Sequence, residues 1–383
     1  MNEFDFQPQT RIVFGSDRID DLGTLTAELG AQRVLVVTDP GIVAAGHATR
    51  AVAALETQSI AVTLFEGVHE NPTTDDVEAG LVFAQSWGPD LIVGLGGGSS
   101  MDCAKGINFL LSNGGRMQDY WGVGKAKHDM LPMIAVPTTA GTGSEAQSFA
   151  LITDAETHVK MACGDRRAAF RVAILDPKLT LTQPARVTAL TGIDAIAHAL
   201  ETYVTRLRNP ASLAFSREAW RLLGESFARV LDDGANLEAR SGMQLGACFA
   251  GLAIENSMLG AAHALANPLT ANYGVVHGQA VGVMLPHVIR FNGDEFDPWY
   301  RELLEVTEGV NGCPAPDAGA AGLADYVTEL TGAAGLQVRL SDLGVESDRL
   351  ATLAAEAATQ WTGTFNPRKV DAENLLAIYR TAF

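Results

Sequence analysis

Short runs of branched and aliphatic residues punctuate the first half of the chain. Segments 33–38, 60–65, 91–95, 133–137 and 172–176 each read as a strand. The runs at 34–37 and 91–95 are apolar at every position, as strands covered on both faces must be. Segments 41–57 and 74–87 have helical spacing instead. Strand–helix alternation of this kind predicts a mostly parallel α/β sheet. After Asp176-Pro177 the texture changes. Segments 187–206, 210–231, 240–266, 277–291, 298–309, 320–334, 347–360 and 371–381 carry long Ala/Leu-rich helical patterns, with no strand among them. The pattern predicts an α/β domain over residues 1–183 and an all-helical domain over 184–383, with the boundary near Thr182-Gln183-Pro184. Both are of ordinary domain size.

Charge narrows the choice of partner. The 383 residues carry a net −18, with −9 on each side of residue 184. No basic tail or stripe is present, and polyanion or anionic-membrane binding needs concentrated positive charge. Nucleic acid and membrane partners are therefore not expected. The N-terminus shows no basic segment followed by an apolar stretch, so no secretory signal is read. Cys103, Cys163, Cys248 and Cys313 are widely spaced, as in a reducing cytoplasm. One local feature stands out. Between Glu255 and Arg290, 34 residues pass without a single Asp, Glu, Lys or Arg. The length would suit a membrane span, but the stretch holds His263, Asn267, Pro268, Asn272, His277, Gln279 and His287. Charge is excluded there while imidazoles are admitted.

Two loops at strand ends have the chemistry of a nucleotide site. The strand at 91–95 runs into Gly96-Gly97-Gly98-Ser99-Ser100, and a helix follows. Such a turn lets backbone N–H groups approach a phosphate, which the helix N-terminus also attracts. Gly94 and Gly96 fit the first two positions of the dinucleotide fingerprint, but Ser99 takes the third, and the turn alone could equally be structural. Pro137-Thr-Thr-Ala-Gly-Thr-Gly-Ser-Glu145 follows the next strand. Open α/β sheets bind ligands at these strand ends. Asp39, ending the strand 33–38, could accept both ribose hydroxyls of an adenosine half and repel a 2′-phosphate, which favours NAD over NADP. By itself Asp39-Pro40-Gly41 reads first as a turn.

The second half holds a sharper constellation. Asp194 and His198, four residues apart on a helix, share one face. His263 and His277 lie in the uncharged stretch, with Asn267-Pro268 expected to break the helix between them. Three imidazoles with one carboxylate suit Fe(II) or Zn(II), not Mg or Ca.

Together these motifs resemble the iron-containing, group III alcohol dehydrogenases essentially end to end. The carriers are Gly96-Gly-Gly-Ser-Ser-Met-Asp102, Pro137-Thr-Thr-Ala-Gly-Thr-Gly-Ser-Glu145, Gly192-Ile-Asp-Ala-Ile-Ala-His198, His263-Ala-Leu-Ala-Asn-Pro-Leu269 and the segment from His277 to His287. The resemblance implies an N-terminal dinucleotide-binding domain, an all-α domain, and reversible hydride transfer between a small primary alcohol or diol and nicotinamide C4. It assigns Asp194, His198, His263 and His277 as metal ligands. Gly97, Gly98 and Ser99 match the pyrophosphate loop, and Thr138, Thr139 and Thr142 the second cofactor loop. Asp39 matches the acid of NAD users, while Asn71, Phe149, Lys160 and Leu179 match further cofactor-contact positions. His287 is read as structural. A homodimer or larger homo-oligomer is also implied.

One position departs from the pattern. Many members carry a histidine four residues after the third ligand, and here that residue is Asn267, which cannot titrate near neutral pH. Water and the cofactor ribose, or another side chain, must then move the proton. A glycerol-type polyol dehydrogenase, a dehydroquinate-synthase-like cyclase and a catalytically silent relative are the competing readings. The four-ligand set argues against the last two.

Overall fold

The computed structural model of the chain describes residues 3–310 and 312–383. Two compact units are found: Gln7–Thr139 with Gly143–Gln183, and Pro184–Phe383 with Ala140–Thr142 and the N-terminal segment.

The first unit is α/β. Its strands are β1 (Arg11–Phe14), β2 (Arg33–Val37), β3 (Ala61–Phe65), β4 (Leu91–Gly96), β5 (Gly122–Val123), β6 (Met133–Pro137), β7 (Phe149–Thr153), β8 (Lys160–Gly164) and β9 (Val172–Leu175). Six of them form a parallel sheet in the order β1-β9-β6-β4-β2-β3, with Val36 level with Val93 and Gly94 level with Ala135. Five helices accompany them: α1 (Leu22–Glu28), α2 (Pro40–Ala44), α3 (His47–Glu56), α4 (Thr74–Trp87) and α5 (Gly98–Asn113). The chain leaves β2 toward β3 on one side and β4 toward β6 on the other. The carboxyl ends of β2 and β4 thus form a topological switch point, where doubly wound sheets open a crevice for ligands.

Three local features differ from the sequence expectation. The segment 41–57 is two helices, because Gly46 takes φ +82° between α2 and α3. Strand β1 and the small sheet β5-β8-β7 were not expected. β1 and β5 span only four and two residues, and β7 and β8 lack the continuous apolar run of the central strands.

The second unit is helical: α6 (Ala185–Val204), α7 (Pro210–Asp232), α8 (Leu237–Asn256), α9 (Ala261–Tyr273), α10 (His277–Val306), α11 (Gly319–Ala333), α12 (Leu350–Ala357) and α13 (Ala372–Ala382). No described residue after Leu175 is in a strand. Every residue of α6 from Gly192 to Val204 is buried, so this helix runs through the centre of the unit. The expected helix 240–266 is interrupted between Asn256 and Ala261. Asn267-Pro268 does not break the helix, contrary to expectation. Pro268 sits inside α9, which continues until Gly274 takes φ +64°. A proline φ is compatible with a helix, and the buried Leu265 and Leu269 hold this one in the core. Proline's cost is the one bond that its missing N–H would have given to the Ala264 carbonyl. In α10 the expected gap between 291 and 298 is a single non-helical residue, Phe296.

No single helix among the described residues is long and apolar enough to cross a membrane. Only α8 and α9 together have such a composition, and they are bent by 103°. Ala247, Ala250, Leu265 and Leu269 from this pair lie in the unit's own core. Core packing accounts for the uncharged stretch.

Candidate metal centre and nucleotide crevice

Helix α6 presents Asp194, His198 and Glu201 at i, i+4 and i+7, one face of a helix. His263 is the third residue of α9, and His277 is the first of α10. Three close approaches make their convergence possible. A Cβ at Gly278 would lie 2.2 Å from the Leu190 carbonyl oxygen, and one at Gly282 would lie 2.8 Å from Ile193 Cγ2. A Cβ at Gly192 would enter the Phe227 ring at 2.2 Å. Glycines at these points let α10 and Phe227 press against α6.

The result is a focus on one oxygen. Asp194 Oδ1 lies 3.5 Å from His198 Nε2, 3.5 Å from His263 Nε2 and 3.6 Å from His277 Nε2. Ligand atoms of Asp194, His263 and His277 all lie within 4.8 Å of one another. The rings of His198 and His263 stack at 4.9 Å between centroids. Asp194, His198 and His263 are buried, and His277 keeps 29% of its side chain exposed. Burial pushes the Asp194 carboxyl up, but the three imidazoles outweigh it and hold it far below the usual range. Burial depresses His198 despite Asp194. For His263 burial also acts downward, yet Glu201 and Asp194 prevail and lift it to about 9.

Two atoms in this cluster test whether a cation fits. Asp194 Oδ1 and His263 Nε2 are buried without a hydrogen-bond partner. Buried polar atoms are rarely left so, because each costs about 1–3 kcal/mol. A divalent ion held by the carboxylate and the imidazoles in their neutral form would satisfy both, and the donor types suit Fe(II) or Zn(II). The residues fit the ion.

Glu201 was not singled out in the sequence. Its Oε2 accepts from His263 Nδ1 at 2.5 Å. The helical spacing from Asp194 and His198 was the available signal, but the partner lies 62 residues away. Asn267, one turn after His263, donates from Nδ2 to Gln360 Oε1 at 2.9 Å.

In the α/β unit, the residues at the carboxyl ends of β2, β4 and β6 meet. Asp39 caps α2, its Oδ1 accepting from Ile42 N at 3.1 Å, and its Oδ2 accepts from Ser100 Oγ at 3.3 Å. Gly96 takes φ +144°, and a Cβ there would lie 2.5 Å from Ser100 Oγ. Gly97 is the N-cap of α5, with Gly98 and Ser99 in its first turn. A Cβ at Gly97 would meet Thr139 Cγ2 at 3.3 Å, and Thr138 N donates to the Gly96 carbonyl at 2.9 Å. Ser99 Oγ accepts from Asn71 N at 3.2 Å, and Lys160 Nζ lies 3.5 Å from Asn71 Oδ1. Asn71 itself takes φ +53°, a conformation that asparagine tolerates better than most residues. Phe149 lays its ring over Gly164. Leu179 is 1% exposed and packs in the core beneath the sheet. Thr142 belongs, with Ala140 and Gly141, to the helical unit.

The chain matches two family descriptions in succession: iron-containing alcohol dehydrogenase over residues 8–177, and the C-terminal part of the Fe-containing alcohol dehydrogenase family over residues 188–383. It belongs to the iron-containing alcohol dehydrogenase family and is an oxidoreductase of CH–OH donors. It is 36% identical to alcohol dehydrogenase 4 of Schizosaccharomyces pombe, over 97% of this chain and 87% of that one. The solved structure of a 1,3-propanediol oxidoreductase superposes with a TM-score of 0.94 at 34% identity, covering 100% of both chains. A sulfoacetaldehyde reductase from Bifidobacterium kashiwanohense, solved in complex with NAD+, gives 0.90 at 28% identity, covering 100% of this chain and 99% of that one.

Proposed function

We propose that this chain is a metal-dependent, NAD(H)-linked alcohol dehydrogenase and aldehyde reductase for a small primary alcohol or diol. The observation that carries the reading is the convergence of three imidazoles on Asp194 Oδ1, with that oxygen and His263 Nε2 left without hydrogen-bond partners. Asp194, His198, His263 and His277 would hold Fe(II) or Zn(II). When bound, the ion supplies Lewis-acid polarisation of the substrate oxygen.

The remaining work falls to the chain. Residues 1–183 would hold the cofactor, and residues 184–383 the metal and substrate. The backbone amides of Gly97, Gly98 and Ser99, at the N-terminus of α5, are suited to the pyrophosphate. Asp39 is suited to the adenosine ribose hydroxyls, and its charge disfavours a 2′-phosphate. Thr138, Thr139 and Thr142 supply hydroxyls along the second loop. Asn71 and Lys160, already linked, are polar groups for the cofactor, and Phe149 and Leu179 match further cofactor-contact positions of the family pattern, although Leu179 is buried. Asn267 can donate or accept a hydrogen bond but holds no exchangeable charge near neutral pH. Water and the cofactor ribose are left to carry the proton. A diol substrate is supported by the likeness to a 1,3-propanediol oxidoreductase. Four cysteines without disulfides support a reducing cytoplasm, and a homo-oligomer follows from the resemblance alone.

The test is NADH absorbance across short aldehydes, alcohols and diols, repeated with Fe(II), Zn(II) and chelator. His263→Ala should abolish metal binding and turnover while leaving NADH binding largely intact. Full activity of a metal-free His263→Ala protein would overturn the reading.

A further inference from the structure

We propose that Glu201 is a positioning residue of the metal centre: its buried carboxylate fixes His263 as the Nδ1–H tautomer, with Nε2 turned toward the ion. The proposal rests on the metal-centre reading above and adds a residue that reading does not require.

Glu201 is 4% exposed and lies on α6 one turn beyond His198. Both of its oxygens are committed. Oε2 accepts from His263 Nδ1 at 2.5 Å, and Oε1 accepts from Ala262 N at 2.7 Å. A carboxylate accepts, so Nδ1 carries the proton of that bond, and in the neutral ring that a metal ligand requires, Nε2 presents its lone pair. That Nε2 is one of the two orphaned buried atoms and faces Asp194 Oδ1 at 3.5 Å. Nothing else about the ring has to move.

The same carboxylate also anchors the helix that carries the ring. Ala261 N donates to Asn366 Oδ1 at 3.3 Å, Ala262 N to Glu201, and His263 Nδ1 to Glu201 again. Three successive residues at the start of α9 are thus tied down by acceptors from outside it. Gly260 is the opening that admits those acceptors. A Cβ there would lie 2.9 Å from Glu201 Oε1 and 3.1 Å from Asn366 Oδ1. Asn366 is held in turn by donating from Nδ2 to Asn292 Oδ1 at 2.8 Å. His198 has a weaker counterpart, with Nδ1 3.2 Å from the neutral Gly141 carbonyl oxygen. The charged acceptor gives the stronger bond and raises the basicity of the ligand nitrogen.

Glutamine cannot replace this group. Its amide offers one oxygen and one NH2, while Ala262 N and His263 Nδ1 are both donors. Glu201→Gln must therefore turn an NH2 group toward one of them. The experiment titrates Zn(II) into the metal-stripped full chain against a chromophoric chelator, comparing wild type, Glu201→Gln and Asn292→Ala. Asn292 shares the network without touching His263, so its variant reports general loosening. Glu201→Gln should weaken Zn(II) binding about 10–100-fold, with Asn292→Ala within about threefold of wild type. Equal affinity of wild type and Glu201→Gln overturns the role of Glu201 alone, as does an equal loss in both variants. A wild-type chain that takes up neither Zn(II) nor Fe(II) overturns the metal-centre reading and this role with it. Should Glu201→Gln not fold, the zinc-loaded wild type decides by NMR. A far-downfield Nδ1–H resonance of His263 is expected, and an Nε2–H tautomer there overturns the assignment.

Discussion

Asp39 Oδ2 accepts a hydrogen bond from Ser100 Oγ at 3.3 Å across 61 residues of sequence. The acid after β2 and the glycine turn after β4 are therefore side by side, where one dinucleotide can touch both. Asp39→Asn keeps an N-cap for α2, since asparagine caps as well as aspartate, but removes the charge. The ratio of kcat/KM for NADPH over NADH should rise about tenfold or more, equivalent to about 1.4 kcal/mol. An unchanged ratio in steady-state kinetics would remove Asp39 from cofactor selection.

Lys105 is fully buried, and its ammonium donates to the Ser144 carbonyl and hydroxyl, each at 2.8 Å, and to the Phe149 carbonyl at 2.7 Å. Asp102 Oδ1 accepts from Ser144 Oγ and lies 3.6 Å from the same ammonium. Burial raises the Asp102 carboxyl, and Lys105 and Ser144 act against that. Removing one member of such a set strands the other. Lys105→Met should destabilise the protein by about 3–5 kcal/mol in urea unfolding, and the double variant Asp102→Asn/Lys105→Met should recover part of the loss.

Gly278 and Gly332 give opposite expectations for one substitution. A Cβ at Gly278 meets the Leu190 carbonyl oxygen, which is backbone and cannot step aside, whereas nothing lies within 4 Å of a Cβ at Gly332. Gly278→Ala should cost about 1–3 kcal/mol and weaken Zn(II) binding, because His277 begins the displaced helix. Gly332→Ala should raise stability by about 0.4–1 kcal/mol. Differential scanning calorimetry of the two variants checks the contrast.

His287 lies half-buried on α10, and burial, with Arg290 nearby, depresses it to about 4. A folded-state value below the ordinary 6.5 means that the unfolded chain takes the proton first. The stability from this residue is fully present above about pH 6.5 and is lost as pH falls toward 4. His287→Gln should flatten the fall of the melting temperature between pH 6.5 and 4.5, measured as the difference from wild type. An unaltered slope would show that His287 is not among the groups that set acid stability.

The parts of the fold that were legible in the sequence are those with strong local signals. β4 is buried at all six positions, and its unbroken apolar run says so. α4 occupies 74–87 as expected, because a capping box between Thr73 and Asp76 starts it and Gly88, at φ +68°, ends it. β1, with two exposed and two half-buried residues, carries no such pattern. The break between α8 and α9 was hidden because both flanks are Ala-rich, while Pro268 drew attention to the wrong place. In the candidate metal centre, Asp194, His198, His263 and His277 were readable as a possible ligand set from helical spacing and from the absence of competing charge. Glu201, Gly260 and Gly278 were not, since each matters only through an atom contributed by another helix.

Helix α6 contributes both carboxylates described at the metal centre, Asp194 and Glu201, while α9 and α10 bring imidazoles from a stretch free of charged side chains. The formal charge of the centre is thus written on a single helical face, eight residues from Asp194 to Glu201. Redesigning the protein for a harder or softer ion would then be an edit to one helix, with the other two left as a neutral frame.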